Sequence, residues 1–346
     1  MNTPVEASFF SQDTDRILLA PMEGVVDAVM RDLLTRIGGI DLCVTEFIRV
    51  TDRLLPVSDY KKYCPELFNG SGCRTQAGVP VLVQLLGGQP EPMAENAAFA
   101  ASLGAPGIDL NFGCPAKTVN RHDGGATLLK TPSRIHDVVS AVRKAVPPSI
   151  PVSAKVRLGF DHKDFHLEIA AAAESGGASW LTVHARTRDE GYRPPAHWEY
   201  IARMREAVRI PVIANGEVWT QADYQRCREV SGCRHVMIGR GLMSRPDLAH
   251  VVKTGNPHMT WPELVPLVLE FGEASCEFKH EHYAVCRVKQ WLKNLSKAYA
   301  EAGMLFEAIK TLENLAPILE RVRLSSAHPF NISSSLPSRS SAARSV

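Results

Sequence analysis

Residues 107–111 (GIDLN), 132–146 (PSRIHDVVSAVRKAV) and 152–156 (VSAKV) decide the fold: an aliphatic run, a stretch with helical periodicity, then a second aliphatic run. This order predicts a strand, a crossover helix and a parallel strand. The same unit recurs in both directions, with strand-like segments at 17–20, 41–45, 81–85, 107–111, 152–156, 180–184, 211–215 and 235–239. Their starts lie 24, 40, 26, 45, 28, 31 and 24 residues apart, and 91–103 and 221–230 are further helix-like intervals. Eight such units in about 230 residues predict an α/β protein built on a (β/α)8 TIM barrel. A doubly wound open sheet is the rival. It would need a strand-order reversal and usually carries a G-x-G-x-x-G turn, which is missing after the first segment.

After Gly241 the strand signals stop, and from 261 to about 324 the pattern is helical, with Pro262-Glu263-Leu264 as a helix start. The expected organisation is a flexible N-terminal extension over 1–15, a barrel over 16–250, an all-helical domain over 251–324 and a disordered tail over 325–346. That tail holds nine serines and two arginines without an acidic residue, too little apolar surface for a core. The whole chain, at 346 residues with 45% hydrophobic and 22% charged, has ordinary globular usage, which excludes global disorder and a small disulfide-stapled scaffold. Its net charge of +2 means that any nucleic-acid role must come from local clustering. No window reaches the roughly 18 apolar residues of a membrane span, and the N-terminus lacks the regions of a signal peptide. A cytoplasmic protein with no membrane partner is expected. The eight cysteines contain no C-x-x-C pair, so no metal site is expected and most should be reduced core thiols.

In a barrel, chemistry gathers where the strands end. All eight ends here are polar: Pro21-Met22-Glu23, Glu46, Gln84, Asn111 with Cys114, Lys155 with Arg157, His184 with Arg186, Asn215-Gly216-Glu217, and Gly239-Arg240-Gly241. One Gln or Asn in such a place is more often a cap, and one cysteine more often a small buried hydrophobe. A complete ring of polar ends is harder to assign to capping. The seventh and eighth ends supply glycine backbone amides and a guanidinium where barrel enzymes hold a phosphate, with two ordinary glycine turns as the bland alternative. Lys155 could stabilise negative charge on a reduced ring or polarise a carbonyl. A thiol such as Cys114, largely protonated at neutral pH, can donate a proton as well as attack.

Leu19-Ala20-Pro21-Met22-Glu23-Gly24, Val83-Gln84-Leu85, Asn111-Phe112-Gly113-Cys114-Pro115, Lys155-Val156-Arg157-Leu158-Gly159, Val183-His184-Ala185-Arg186-Thr187, Ala214-Asn215-Gly216-Glu217 and Ile238-Gly239-Arg240-Gly241 together resemble the tRNA-dihydrouridine synthases. The resemblance runs from about Arg16 to Leu324. The stretches 45–50 (TEFIRV), 124–129 (GGATLL) and 287–292 (RVKQWL) are most similar to the bacterial C subfamily, which modifies uridine 16 of the tRNA D-loop. The resemblance implies an FMN enzyme that takes electrons from NADPH and saturates the C5–C6 bond of a uridine. It implies Pro21, Met22 and Glu23 along the isoalloxazine, Gln84 and Lys155 at its polar edge, and His184 beside it. The phosphate would rest on Asn215, Gly216, Glu217, Gly239 and Arg240, and Asn111 and Arg157 would hold the uracil. Cys114 would be the general acid, protonating C5 while hydride reaches C6. Phe112 and the charged run Arg121-His122-Asp123 depart from the family pattern without removing a reacting group.

A uridine inside folded tRNA must be flipped out to reach a barrel mouth, so backbone contacts must offset that cost. The stretch 279–297 carries Lys279, Arg287, Lys289, Lys293 and Lys297 against Glu281, a local charge of +4, and the spacing predicts Lys289, Lys293 and Lys297 on one helix face. A solvated basic face is the bland alternative. Arg49, Arg186, Arg188, Tyr192 and Arg193 add charge and an aromatic in the barrel loops, which favours tRNA backbone binding. The resemblance implies that Arg49, Arg287, Lys289, Asn294 and Lys310 orient the tRNA. A monomer is expected. With no Rossmann motif in the chain, NADPH would visit the flavin mouth in a ping-pong cycle. The alternatives are an FMN barrel oxidoreductase acting on a small pyrimidine or enone, and an RNA-binding module without chemistry.

Overall fold

The computed structural model describes residues 9–10, 14–121 and 123–326. Most of the N-terminal extension, His122 and the serine-rich tail beyond 326 lie outside the described residues. The strands are β1 (Ile17–Leu19), β2 (Leu42–Val44), β3 (Ile48–Arg49), β4 (Val81–Leu86), β5 (Ile108–Asn111), β6 (Val152–Arg157), β7 (Trp180–His184), β8 (Val212–Asn215) and β9 (Val236–Ile238). All ladders between them are parallel; β1 pairs with both β2 and β9, and β2 with β4, so eight strands close into the expected barrel. The two-residue β3 is an addition that the sequence reading lacks. Its cause is register: β2 pairs with the start of β4 (Cys43↔Val81, Val44↔Leu82) and β3 with its end (Ile48↔Leu85, Arg49↔Leu86).

Alternation along the strands sends one set of side chains into the barrel. Leu18, Ala20, Leu42, Val44, Leu82, Trp180, Ile213 and Met237 form a buried cluster there with Phe10, whose ring meets Trp180 edge-on at 4.8 Å. The extension over 1–15 is therefore not wholly loose: Phe10 is a core residue, and Asp15 pairs with Arg228 at 2.7 Å. The connecting helices carry ordinary local signals. Gln221–Ser231, for instance, starts at a capping box between Thr220 and Asp223 and ends at Gly232 with φ 65°.

The chain divides into two compact units at His258/Met259. The expected boundary at 250/251 falls inside the helix Leu248–Thr254, which belongs to the first unit. Lys253 Nζ lies 2.6 Å from both carboxylate oxygens of Asp41, and a Cβ on Gly39 would come within 2.3 Å of the Ala249 backbone. The second unit contains the helices Trp261–Phe278, Glu281–Leu295, Ala300–Ile309 and Leu315–Leu324. Ser325, placed in the tail by the sequence reading, is fully buried here, and its hydroxyl accepts from Trp261 Nε1 at 3.1 Å. Among the described residues no helix is long and apolar enough to cross a membrane.

Candidate active site

Asp109 and Asn111 on β5, and Ser153, Lys155 and Arg157 on β6, are spaced two apart and so share the interior face of their strands. Gln84 on β4 is fully enclosed; its Nε2 donates to Asp109 Oδ2 at 2.6 Å and its Oε1 accepts from Asn111 Nδ2 at 2.8 Å. Lys155 Nζ, half-buried, donates to Asn215 Oδ1 at 3.0 Å. Burial, and then the neighbouring Arg157, bring this ammonium down to about 8, while Asp109 opposes the fall.

Cys114 follows β5 in a short loop. Asn111 Oδ1 accepts from its backbone N–H at 2.6 Å and from that of Gly113 at 2.9 Å. The thiol packs with Phe47, Leu86 and Val119. Burial raises it above the ordinary thiol value; the Ala116 backbone N–H and Arg157 oppose this and the Glu23 carboxylate adds to it. The thiol is therefore protonated at neutral pH. Arg157, expected at the uracil, commits Nε and Nη1 to the fold: Nε to Gly113 O at 2.7 Å and Nη1 to Thr187 O and Gly191 O at 3.0 and 2.9 Å. It braces the Cys114 loop against the loop after β7. Asn111 is likewise engaged, with its carbonyl on the Cys114 turn.

His184, at the end of β7, is buried with Nδ1 unpartnered. Burial, reinforced by Arg157, Lys155, Arg186 and Arg240, holds the ring neutral, well below the ordinary imidazole value. Beside it Gly216 has φ 122°, and a Cβ there would stand 3.5 Å from His184 Nε2. A Cβ on Gly239 would lie 3.3 Å from both Ala20 Cβ and Met22 Sδ. Pro21 and Met22 are half-buried and Glu23 is exposed, in a turn whose Gly24 N–H donates to Glu46 Oε1. Glu217, at φ 59°, turns its carboxylate onto Arg186 and, at 3.7 Å, Arg240, and accepts from Trp219 Nε1 at 2.7 Å. A carboxylate repels phosphate, so Glu217 can serve an anion only through its backbone. Tyr192, 53% exposed, spreads over this rim, with the guanidinium carbons of Arg157 and Arg240 5.3 and 4.8 Å from its ring centre.

The basic stretch departs from expectation. Arg287 is buried, with its guanidinium 5.3 Å from the Phe271 ring and bonded to Gln290, so it packs the helical unit instead of facing solvent. Lys289 Nζ donates to Lys310 O at 3.0 Å and also to Leu312 O. Lys297 lies beyond the helix end at Leu295, so the three lysines do not share one helix face. Lys293 is exposed, Asn294 donates to Gln290 O, and Lys310 is exposed beside Glu307. Arg49 ends β3, half-buried. Asp109 and the Arg186–Glu217 pair were not singled out by the sequence; the two-residue spacing of Asp109 and Asn111 was the available signal.

Chemistry confined to the rim at the strand ends of a closed parallel barrel defines a TIM-barrel enzyme. Two solved structures share the fold: 2-naphthoyl-CoA reductase in complex with 2-naphthoyl-CoA (TM-score 0.54, 10% identity, 70% of this chain and 50% of that one) and a variant of NCR from Zymomonas mobilis (0.51, 14%, 71% and 88%). The family model described as Dihydrouridine synthase (Dus) matches residues 18–323, and the chain belongs to that family of oxidoreductases. It is 55% identical over 315 residues to the tRNA-dihydrouridine(16) synthase of Aquipseudomonas alcaligenes, covering 90% of this chain and 99% of that one. To the protein of the same name from Escherichia coli it is 49% identical over 309 residues, 89% and 98%.

Proposed function

We propose that this protein reduces the C5–C6 bond of uridine 16 in the D-loop of tRNA, using FMN re-reduced by NADPH, with Cys114 as the proton donor. The observation that carries the chemistry is the Cys114 thiol, enclosed, protonated and fixed through its backbone by Asn111. A hydride added to C6 leaves enolate-like charge that an acid must quench at C5, and a protonated thiol suits that task. Near-full-length relatives named for the position-16 reaction support the substrate.

The residues present fit FMN. The unpartnered Nδ1 of neutral His184 offers a polar group to a ring, and the bare backbone of Gly216 and Gly239 forms a cradle that a Cβ would fill against His184, Ala20 and Met22. Pro21, Met22, Lys155 and His184 would line the ring, with Gln84 acting from below through Asn111. The backbone of Asn215, Gly216, Glu217 and Gly239 and the Arg240 guanidinium would hold the phosphate. When bound, FMN supplies the hydride. Lys155, with its ammonium brought down to about 8, carries positive charge at neutral pH beside that ring. Tyr192 offers a stacking face for a flipped base, and exposed Lys293, Lys297 and Lys310 offer phosphate contacts.

The test is spectroscopic. NADPH should bleach the yellow of the purified protein, and unmodified tRNA should restore it. Recovery with free pyrimidines or enones but not with tRNA would instead establish a small-molecule reductase.

A further inference from the structure

Asp109 is enclosed, and none of the roles above uses it. Both of its oxygens are taken: Oδ1 accepts from the Ser153 hydroxyl and Oδ2 from Gln84 Nε2, each at 2.6 Å. Gln84 Oε1 then accepts from Asn111 Nδ2 at 2.8 Å, and Asn111 Oδ1 from the N–H groups of Cys114 and Gly113 at 2.6 and 2.9 Å. Two side-chain amides thus stand in series between a carboxylate, which when ionised only accepts, and two backbone N–H groups, which only donate. Both ends demand the same orientation of both amides. Turning either one over would set donor against donor or acceptor against acceptor in a buried site, which is heavily penalised.

We propose that Asp109 is a positioning residue for uridine reduction: through Gln84 and Asn111 its carboxylate fixes the Gly113-Cys114 turn and holds the thiol where its proton is delivered. This rests on the reading of Cys114 as proton donor. Burial pushes the Asp109 carboxyl up to about 6, against the bonds from Ser153 and Gln84 and the charge of Lys155, so the anchor is ionised at neutral pH. No covalent step is assigned to Asp109, and Lys155 bonds to Asn215 rather than to it.

The test uses the FMN-loaded full chain, reduced in advance with NADPH and mixed with unmodified tRNA in a single turnover. Asp109→Ala removes the acceptor at the head of the series. Its rate of uridine reduction should fall by about 100-fold, the scale of a reacting group displaced by an ångström. FMN content and tRNA affinity should be unchanged, and starting from flavin already reduced keeps the altered charge at Lys155 out of the NADPH step. Asp109→Asn can still accept from Gln84 while donating to Ser153, and should restore most of the rate. In a Cys114→Ala background the Asp109→Ala effect should vanish, because it acts through the thiol. An undiminished rate in Asp109→Ala, or an equal loss in both backgrounds, overturns the proposal. If Asp109→Ala does not accumulate as folded, flavin-bound protein, Gln84→Met interrupts the same series and is judged by the same two criteria. A Cys114→Ala enzyme as fast as its parent would refute the proton-donor reading itself.

Discussion

Removing the Glu66 carboxylate should cost this protein much of its stability. Arg31, on the helix Ala28–Ile37, is fully enclosed, with Nε 2.9 Å from Glu66 Oε1 and Nη2 3.0 Å from Oε2. The same guanidinium reaches Val26 O at 3.1 Å and Tyr63 O at 3.0 Å, tying the helix after β1 to the segment before β4. Glu66→Met strands a buried cation among carbonyls, and breaking one partner of a buried pair costs about 3–5 kcal/mol. At about 2–4 °C per kcal/mol for a unit of this size, the melting point should fall by about 6–20 °C. Arg31→Met in combination removes the stranded charge and should recover most of that loss. Calorimetry of parent, single and double variants at equal flavin loading reads out the cycle. A Glu66→Met protein within about 1 kcal/mol of the parent, as expected for an exposed pair, would refute the reasoning.

Three further outcomes follow from the geometry. Burial raises the Cys114 thiol above its ordinary value, so single-turnover uridine reduction should fall on the alkaline side, first as Lys155, at about 8, gives up its charge and then as the thiol ionises; a fall centred below pH 7 would contradict a protonated acid with a raised value. Burial lowers His235 from 6.5 to about 4, so the unfolded chain takes up the proton first and this residue's contribution to stability is lost as pH falls through that window. Urea unfolding of His235→Asn should show a flatter slope there, and an unchanged slope would count against the burial argument. Lys289→Glu gives up charged bonds to one exposed and one part-buried carbonyl and should destabilise the helical unit by about 1–3 kcal/mol, whereas exposed Lys293→Glu gives up a ring contact with Phe306, should cost under about 1 kcal/mol and should lower the salt slope of tRNA binding by about 1. Equal melting points for these two variants would remove the distinction.

The barrel was legible because each strand is an aliphatic run bounded by loop residues, and the eight expected segments match the barrel strands to within two residues at either end. β3 was hidden because two residues carry no period of their own and pair only where β4 outlasts β2. The rim was legible as a ring of polar strand ends, and Cys114, Lys155 and His184 do gather there. What each polar group bonds to was not. Arg157 meets carbonyls from residues 113, 187 and 191, which come together only in the folded chain. The charge count over 279–297 likewise said nothing of Arg287 turning inward onto Phe271. A charge run records composition, whereas exposure depends on which neighbours offer an aromatic face or a free carbonyl.

Incubation of the flavin-loaded protein with NADPH and unmodified tRNA, with dihydrouridine mapped by position and Cys114→Ala alongside, distinguishes uridine 16 reduction by a Cys114 acid from every other outcome. Dihydrouridine is expected at uridine 16 with the parent and is expected to be almost completely lost in the variant, while NADPH still bleaches the flavin. Product at another position, or an alanine variant as active as the parent, would contradict this.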